Sequence, residues 1–362
     1  MTRGSRALLN CAAAALAVAF VGCAREEVGP AKYSAEMCRR VALTDQVSGE
    51  TIRGAEDFAV DKARGRLYVA AYDRRAAERA ARKKAILVPQ GGVYAVSLSA
   101  LFDPLTDEIS AAPLARGDDI AGGVRPQGVS YDAATGEIAF INRAYQRING
   151  GWRMTPRVER VGADGAAFVG AEEPAPCSAN SILEENGKAI VSFDHADCGF
   201  GAGIEDAFSL KRSGLVSAKG DVLFDEAAYA NGLARTLGGD LVLAATRENA
   251  LLVIRNSPDG LVEAARIAVP GGPDNLKIAD DGGVVAAVHP SMLRIFLNRR
   301  FGFGHAPSRI VKADPDGGEV AVLFDDESGK LFSAATAAVE TGGHLIAGSV
   351  TDAGLLVCKA GA

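Results

Sequence analysis

From Glu56 onward the chain repeats one arrangement of apolar and polar positions. An apolar stretch leads into a turn rich in Gly, Asp or Asn, and a second apolar stretch follows. The copies are "EDFAVDKARGRLYVAAYD" from Glu56, "QGVSYDAATGEIAFINR" from Gln127, "NSILEENGKAIVSFDHAD" from Asn180, "NGLARTLGGDLVLAATRE" from Asn231, "DNLKIADDGGVVAAVHP" from Asp274 and "SAATAAVETGGHLIAGSV" from Ser333. Third apolar stretches come next, as in "GGVYAVSL" (91–98), "NALLVIRN" (249–256) and "GLLVCK" (354–359), and a fourth is visible in "GEVAVLFD" (318–325). Each copy reads as a hairpin extended to four strands. Six such units predict an all-β fold, a six-bladed β-propeller over 38–359. A ring of blades must close. The segment "MCRRVAL" is expected to supply the outer strand of the last blade, so that N- and C-terminal strands close the ring.

The first position of each unit breaks the apolar rule. It reads Glu56, Gln127, Asn180, Asn231 and Asp274, with a Ser-Ala-Ala stretch in the sixth. In a propeller the first strand of each blade lines the central channel, so these groups converge at one end. A buried carboxylate without a partner is costly. Two arrangements relieve it: the groups hydrogen-bond one another and channel water, or their oxygens hold a hard cation. Calcium takes six to eight oxygen ligands and suits carboxylate and amide donors better than the tight magnesium octahedron. No His or Cys is in the set, which argues against zinc.

Composition adds bounds. The chain has 362 residues, 48% of them apolar, enough for a sizeable core. A net charge of -6 gives no nucleic-acid footprint. The basic run "RRAAERAARKK" (74–84) reads as a solvated helical insertion, with a membrane-surface contact as the other reading. Arg3 and Arg6 precede an apolar run from Ala7 to Val21 that is too short to span a bilayer; residues 1–22 are expected to be a secretory signal peptide. "VGCAREE" resembles a lipoprotein box with Cys23 lipidated and 23–37 as a tether; ordinary cleavage to a soluble periplasmic protein is the alternative. Both place the protein in a bacterial cell envelope, and the membrane becomes a partner only through a lipid on Cys23. Cys38, Cys177, Cys198 and Cys358 remain, and in an oxidising compartment they allow three pairings. Cys38 and Cys358 flank almost the whole ring, which suggests a closing bridge. Cys177 and Cys198 flank one hairpin, which suggests a second.

The motifs "GAEDFAV", "RPQGVS" followed by "FINR", "ANSI", "YANGL", "PDNLKI" and "VHPSMLRIF" occur in that order. Together they resemble the paraoxonase/arylesterase family of six-bladed calcium-dependent propellers, over about residues 38–358. More distantly the chain is similar to gluconolactonase and strictosidine-synthase-like propellers. The resemblance implies that Glu56, Asn180, Asn231, Asp274 and Asn275 hold a catalytic calcium that polarises a substrate carbonyl. It also implies a ring-closing disulfide between the end cysteines. A second calcium site would use Asp57, but its next ligand position is Ser181 here. The family's catalytic His falls at Gln127 and its dyad partner at Arg143, and neither side chain takes a proton near neutral pH. His289, in "VHP", and His195, in "FDHADC", match pocket histidines and join Asp274 as candidate catalytic groups. Gln127, Arg143, and Phe301 and Phe303 of the 298–308 loop are expected to line the substrate pocket. The expected activity is calcium-dependent hydrolysis of a lactone or carboxylic (aryl) ester. The alternative, from a different class, is a non-catalytic calcium-binding propeller acting as an envelope binding or scaffold protein.

Overall fold

The computed structural model describes residues 29–117, 120, 122–165 and 173–361; the expected signal peptide (1–22), Cys23 and the first part of the expected tether lie outside them. Strand β1 (Cys38–Asp45) precedes a first unit of β2 (Ala55–Asp61), β3 (Arg66–Ala71), β4 (Gly92–Ser97) and β5 (Glu108–Arg116). Next come β6 (Pro126–Asp132), β7 (Glu137–Ile148), β8 (Gly151–Gly162) and β9 (Glu173–Pro174), then β10 (Ala179–Glu185), β11 (Lys188–Phe193), β12 (Ser213–Ser217) and β13 (Val222–Ala227). A further unit is β14 (Ala230–Arg235), β15 (Leu241–Ala245), β16 (Ala250–Ser257) and β17 (Gly260–Ala268). The last are β18 (Gly272–Ile278), β19 (Val284–His289), β20 (Ser308–Ala313) and β21 (Val320–Asp326), then β22 (Ala335–Thr341), β23 (His344–Ser349) and β24 (Leu355–Lys359).

The units beginning with β6, β10, β14 and β18 are separate four-stranded sheets, each running in chain order. The other eight strands form one sheet in the order β2-β3-β4-β5-β1-β24-β23-β22. Strand β1 makes that junction. Its first half pairs antiparallel with β24, and its second half, Ala42 to Asp45, pairs parallel with β5. The pairing with β24 is the expected closure, and Cys38 lies directly opposite Cys358 and is bridged to it. The pairing with β5 is a long-range parallel contact that no local pattern announces. The second expected bridge, Cys177–Cys198, is also present.

The first strands neighbour one another in chain order, β2, β6, β10, β14, β18 and β22, and β22 returns to β2. Two glycines permit this close approach. A Cβ on Gly232 would stand 2.4 Å from the Asp274 carbonyl oxygen, and one on Gly128 would stand 2.7 Å from Ser181 Cα. Apolar faces pack between successive sheets; Ile141 and Val158 of one meet Ile182 and Val191 of the next. Each large side chain so buried contributes about 1.5–3 kcal/mol.

Residues ahead of β1 pack with the folded unit, from Ala31 on. The Lys32 and Tyr33 amides donate to the Val322 and Leu323 carbonyls at 3.0 and 2.8 Å. The Tyr33 ring is buried beside Phe324 and Phe332, and its hydroxyl donates to Glu340 at 2.8 Å. Lys32 and Tyr33, in the stretch expected to be a tether, are therefore tied to the core.

Among the described residues four α-helices interrupt the strands: α1 (Arg74–Arg82), α2 (Leu98–Phe102), α3 (Phe200–Phe208) and α4 (Met292–Phe301). Helices α1, α3 and α4 each connect a second strand to a third. In an up-and-down sheet that connection lies at the end where the first strand begins, so all three crown the mouth of the channel. Among the described residues, no helix is long and apolar enough to cross a membrane.

Candidate functional site

All six inner hairpins break register at the same place. The ladder skips between Ala55 and Asp57, Pro126 and Val129, Ala179 and Ile182, Ala230 and Leu233, Pro273 and Leu276, and Ala335 and Ala337. A bulge takes a residue out of the ladder and re-aims its side chain. The residues within the breaks include Glu56, Gln127, Asn180, Asn231, Asp274 with Asn275, and Thr336. This is the physical reason for a polar residue at each strand mouth. Thr336 was not singled out by the sequence, because a Thr among alanines reads as an ordinary strand residue.

These side chains meet in a cavity of about 120 Å³. Glu56, Gln127, Asn180, Asn231, Asp274 and His289 line it together. Asn275 lies just behind, buried, with its Nδ2 donating to the Glu56 carbonyl oxygen at 3.1 Å; Thr336 Oγ1 donates to the same oxygen at 2.9 Å.

An unforeseen cation sits in this ring. Helix α1 starts directly after β3, with the Asp73 side chain capping the Ala76 amide at 2.8 Å. Its first residue, Arg74, is 5% exposed. Arg74 donates to Glu56 Oε1 at 2.7 Å and to Gln127 Oε1 at 2.8 Å. The run expected to be a solvated insertion is therefore solvated only on its outer side. Gln127 Nε2 passes the chain on to Asn180 Oδ1 at 3.1 Å, and Asn180 Nδ2 donates to Asp194 at 3.1 Å. Burial pushes the Glu56 carboxyl up to about 7, with Arg74 opposing the rise and Asp274 adding to it.

Three buried oxygens in the set have no hydrogen-bond partner: Glu56 Oε2, Asn231 Oδ1 and Asn275 Oδ1. They come from β2, β14 and β18. Asp274 gives its Oδ2 to His289 Nε2 at 2.8 Å, and His289 Nδ1 is buried without a partner. Among the described residues no group of three or more His, Cys, Asp or Glu gathers as a metal cluster; the oxygens available here come from two carboxylates and amides.

Asp57, the candidate for a second metal, is fully buried in an ion pair with Lys277 Nζ at 2.8 Å. Its other oxygen accepts from the Val129 amide at 3.0 Å. An internal ammonium thus stands against the carboxylate named for a second cation.

The remaining candidates separate. His195 does not line the cavity. Its Nδ1 contacts Asp194 at 2.6 Å and its Nε2 faces Asp206 at 3.5 Å. Burial disfavours the charged ring, but hydrogen bonds to Asp194 and Asp206 outweigh it and hold His195 up at about 10. A ring already protonated at neutral pH is not a general base, so His195 leaves the set of proton acceptors. Arg143 lies on β7 outside the cavity, its amide bonded to the Arg125 carbonyl. Phe301 and Phe303 are exposed and stack on each other with centroids 5.8 Å apart. The apolar wall is made instead by Met292, Ile295 and Phe296 of α4. The 298–308 segment begins inside that helix, which Ser291 caps through the Arg294 amide.

No protein-family model matches the sequence, and no curated protein matches it either. Solved structures do resemble the fold. A PQQ-bound aldose sugar dehydrogenase from Streptomyces coelicolor shares 12% identity over 91% of this chain and 99% of its own, with a TM-score of 0.50. A gluconolactonase from Xanthomonas campestris shares 14% over 92% and 98%, with a TM-score of 0.48. A virginiamycin B lyase from Staphylococcus aureus shares 13% over 89% and 98%, with a TM-score of 0.47. At such identities the likeness speaks for the fold alone, an all-β propeller, and it does not single out the paraoxonase/arylesterase family.

Proposed function

We propose that the protein is a calcium-dependent hydrolase of lactones or carboxylic esters, built on a six-bladed propeller in the cell envelope. The eight-stranded sheet divides into two four-stranded blades, β2 to β5 and β22 to β24 with β1, and these complete a ring of six. Two disulfides suit an oxidising compartment. The observation that carries the reading is the set of three unpartnered buried oxygens, on Glu56, Asn231 and Asn275, beside the Asp274–His289 pair. Unpaired buried acceptors are costly, and oxygens converging from several strands fit a hard cation. Glu56, Asn231, Asn275 and Asp274 are its proposed ligands, with Asn180 turned from Gln127 to join them. Calcium, when bound there, supplies a Lewis acid for a carbonyl oxygen.

The chain's own residues supply the rest. His289 Nε2–H donates to Asp274 Oδ2, a tautomer that follows from the carboxylate being an acceptor. Nδ1 then carries the lone pair and serves as the base toward a water. Gln127 holds Arg74 through its Oε1 rather than moving a proton. One observation favours the non-catalytic reading: Arg74 already neutralises Glu56 without a metal.

The test is hydrolysis of a small lactone and aryl-ester panel by the signal-free protein, with calcium and after chelation, folding being checked in both states. Calcium-dependent turnover that Asp274→Ala abolishes is the expected result. A folded, calcium-loaded protein without turnover leaves the binding propeller.

A further inference from the structure

We infer that the substrate carries a carboxylate besides the bond that is cleaved, and that Arg299 receives it. The inference rests on the hydrolase reading and names the substrate class of that site.

Three guanidinium groups line the cavity: Arg74, Arg247 and Arg299. Arg74 is held by Glu56 at 2.7 Å, and Arg247 by Asp206 at 2.9 Å. Arg299 has no hydrogen bond or ion pair through its side chain among the described residues; its charge acts on Glu56 and Tyr229 only through space. The other arginines of α4 are engaged: Arg294 donates to the Glu327, His305 and Ser328 carbonyls, and Arg300 lies over the Phe301 ring. Arg299 is half-buried and follows Met292, Ile295 and Phe296 on one helix face, at the spacing that stacks side chains over one another. A charged head thus ends an apolar strip on the cavity wall. Such a strip fits the short carbon arm of a carboxylate, and a guanidinium fork matches the two carboxylate oxygens.

Charge balance points the same way. The cavity's carboxylates are Glu56, Asp206 and Asp274, and its guanidinium groups are Arg74, Arg247 and Arg299. The two sets cancel. A divalent cation on the proposed ligands leaves the cavity two negative charges short in a poorly solvated space, where an unpaired charge is costly. An anionic substrate restores part of that balance.

The test uses the calcium-loaded protein and two rings that differ in one substituent: 5-oxotetrahydrofuran-2-carboxylate and γ-valerolactone. The expected kcat/KM ratio favours the carboxylate ring by roughly tenfold or more, the scale of a charge-assisted pair. In Arg299→Gln the ratio collapses toward one, and Arg299→Lys recovers part of it. Equal turnover of both rings, or an unchanged ratio in Arg299→Gln, overturns the inference and leaves the hydrolase standing. Calorimetry with glutarate separates the two failures. If neither ring turns over but glutarate binds, and Arg299→Gln weakens it at least roughly tenfold, the carboxylate site stands and the hydrolase reading falls. Neither turnover nor glutarate binding overturns both.

Discussion

Glu56 and Asp57 are adjacent carboxylates on β2, both buried, and they meet opposite fates. Asp57 has a complete set of partners: the Lys277 ammonium on one oxygen and the Val129 amide on the other. Glu56 has half a set. Arg74 holds one oxygen, and the other is buried without a partner beside a cavity. The two residues have nearly the same chemistry, and the bulge between Ala55 and Asp57 sends them to different surroundings. A carboxylate closed off by a lysine can only hold the ring together. One left open at a cavity is poised to take a ligand; burial raises the proton affinity of both carboxyls, so it is the oxygen without hydrogen bond or ion pair that sets Glu56 apart.

The comparison is broken most forcefully at its closed half. Lys277→Met strands the Asp57 charge in the core, and removing one partner of a buried pair costs about 3–5 kcal/mol. Denaturant melts are expected to show that loss. The double change Asp57→Asn with Lys277→Met restores most of it, because no charge remains to be compensated. A single variant as stable as wild type would show that Asp57 is neutral and that its lysine is dispensable.

The open half is tested by chemistry. His289→Gln removes the proposed base while leaving a polar group near Asp274, and kcat is expected to fall roughly 100-fold, the lower end of general-base effects. KM for a neutral lactone is expected to change less. A fall confined to KM would make His289 a binding group. Next in size is the ligand's effect on stability. Calcium at roughly thirtyfold above its Kd stabilises the fold by about 2 kcal/mol if it binds only the folded state. Asn231→Ala deletes an oxygen that has no hydrogen-bond partner together with the buried Nδ2 bond to Thr246 at 3.3 Å, so melts in chelator fall by about 1 kcal/mol while the calcium-induced rise shrinks. An equal rise in wild type and variant takes Asn231 out of the ligand set.

The split between legible and hidden features follows the range of the contacts. The hairpins, their polar mouths and the ring-closing Cys38–Cys358 pair could be read because each depends on local alternation or on position in a repeat. The bulges make those mouths functional, and a residue such as Gln127 or Asn180 announces them by being polar where its neighbours are apolar. Arg74 was hidden because a run of arginines and alanines has the composition of a solvated helix. Only its place, one residue after the Asp73 cap and at the channel end of β3, turns its first side chain inward. Phe301 and Phe303 failed as the pocket wall for the converse reason. The segment reads as a loop in the sequence, whereas α4 runs to Phe301 and presents Met292 and Ile295 to the cavity instead. Lys277 was invisible as the partner of Asp57 because they lie on opposite sides of the chain's closure, more than two hundred residues apart in sequence.

The smallest expected effect extends the comparison to the two histidines. His289 Nδ1 has no hydrogen-bond partner, while both ring nitrogens of His195 face a carboxylate, Asp194 at 2.6 Å and Asp206 at 3.5 Å, with Arg247 completing the cluster at 2.9 Å from Asp206. The enclosed ring has its pKa raised from the ordinary 6.5 to about 10. A group whose folded pKa is raised binds its proton more tightly in the folded state. Its stabilisation is fully present below about 6.5 and is lost as the pH rises through about 10. His195→Gln removes that contribution, so wild type and variant differ most at the acid end of the window and converge at the alkaline end. The cluster is partly open to solvent, and screening brings the expected difference down to about 1 kcal/mol. Denaturant melts of both proteins at the two ends of the window measure it. A difference that stays constant across the window would mean that the imidazolium contributes packing alone and that the cluster is not held together by its charge.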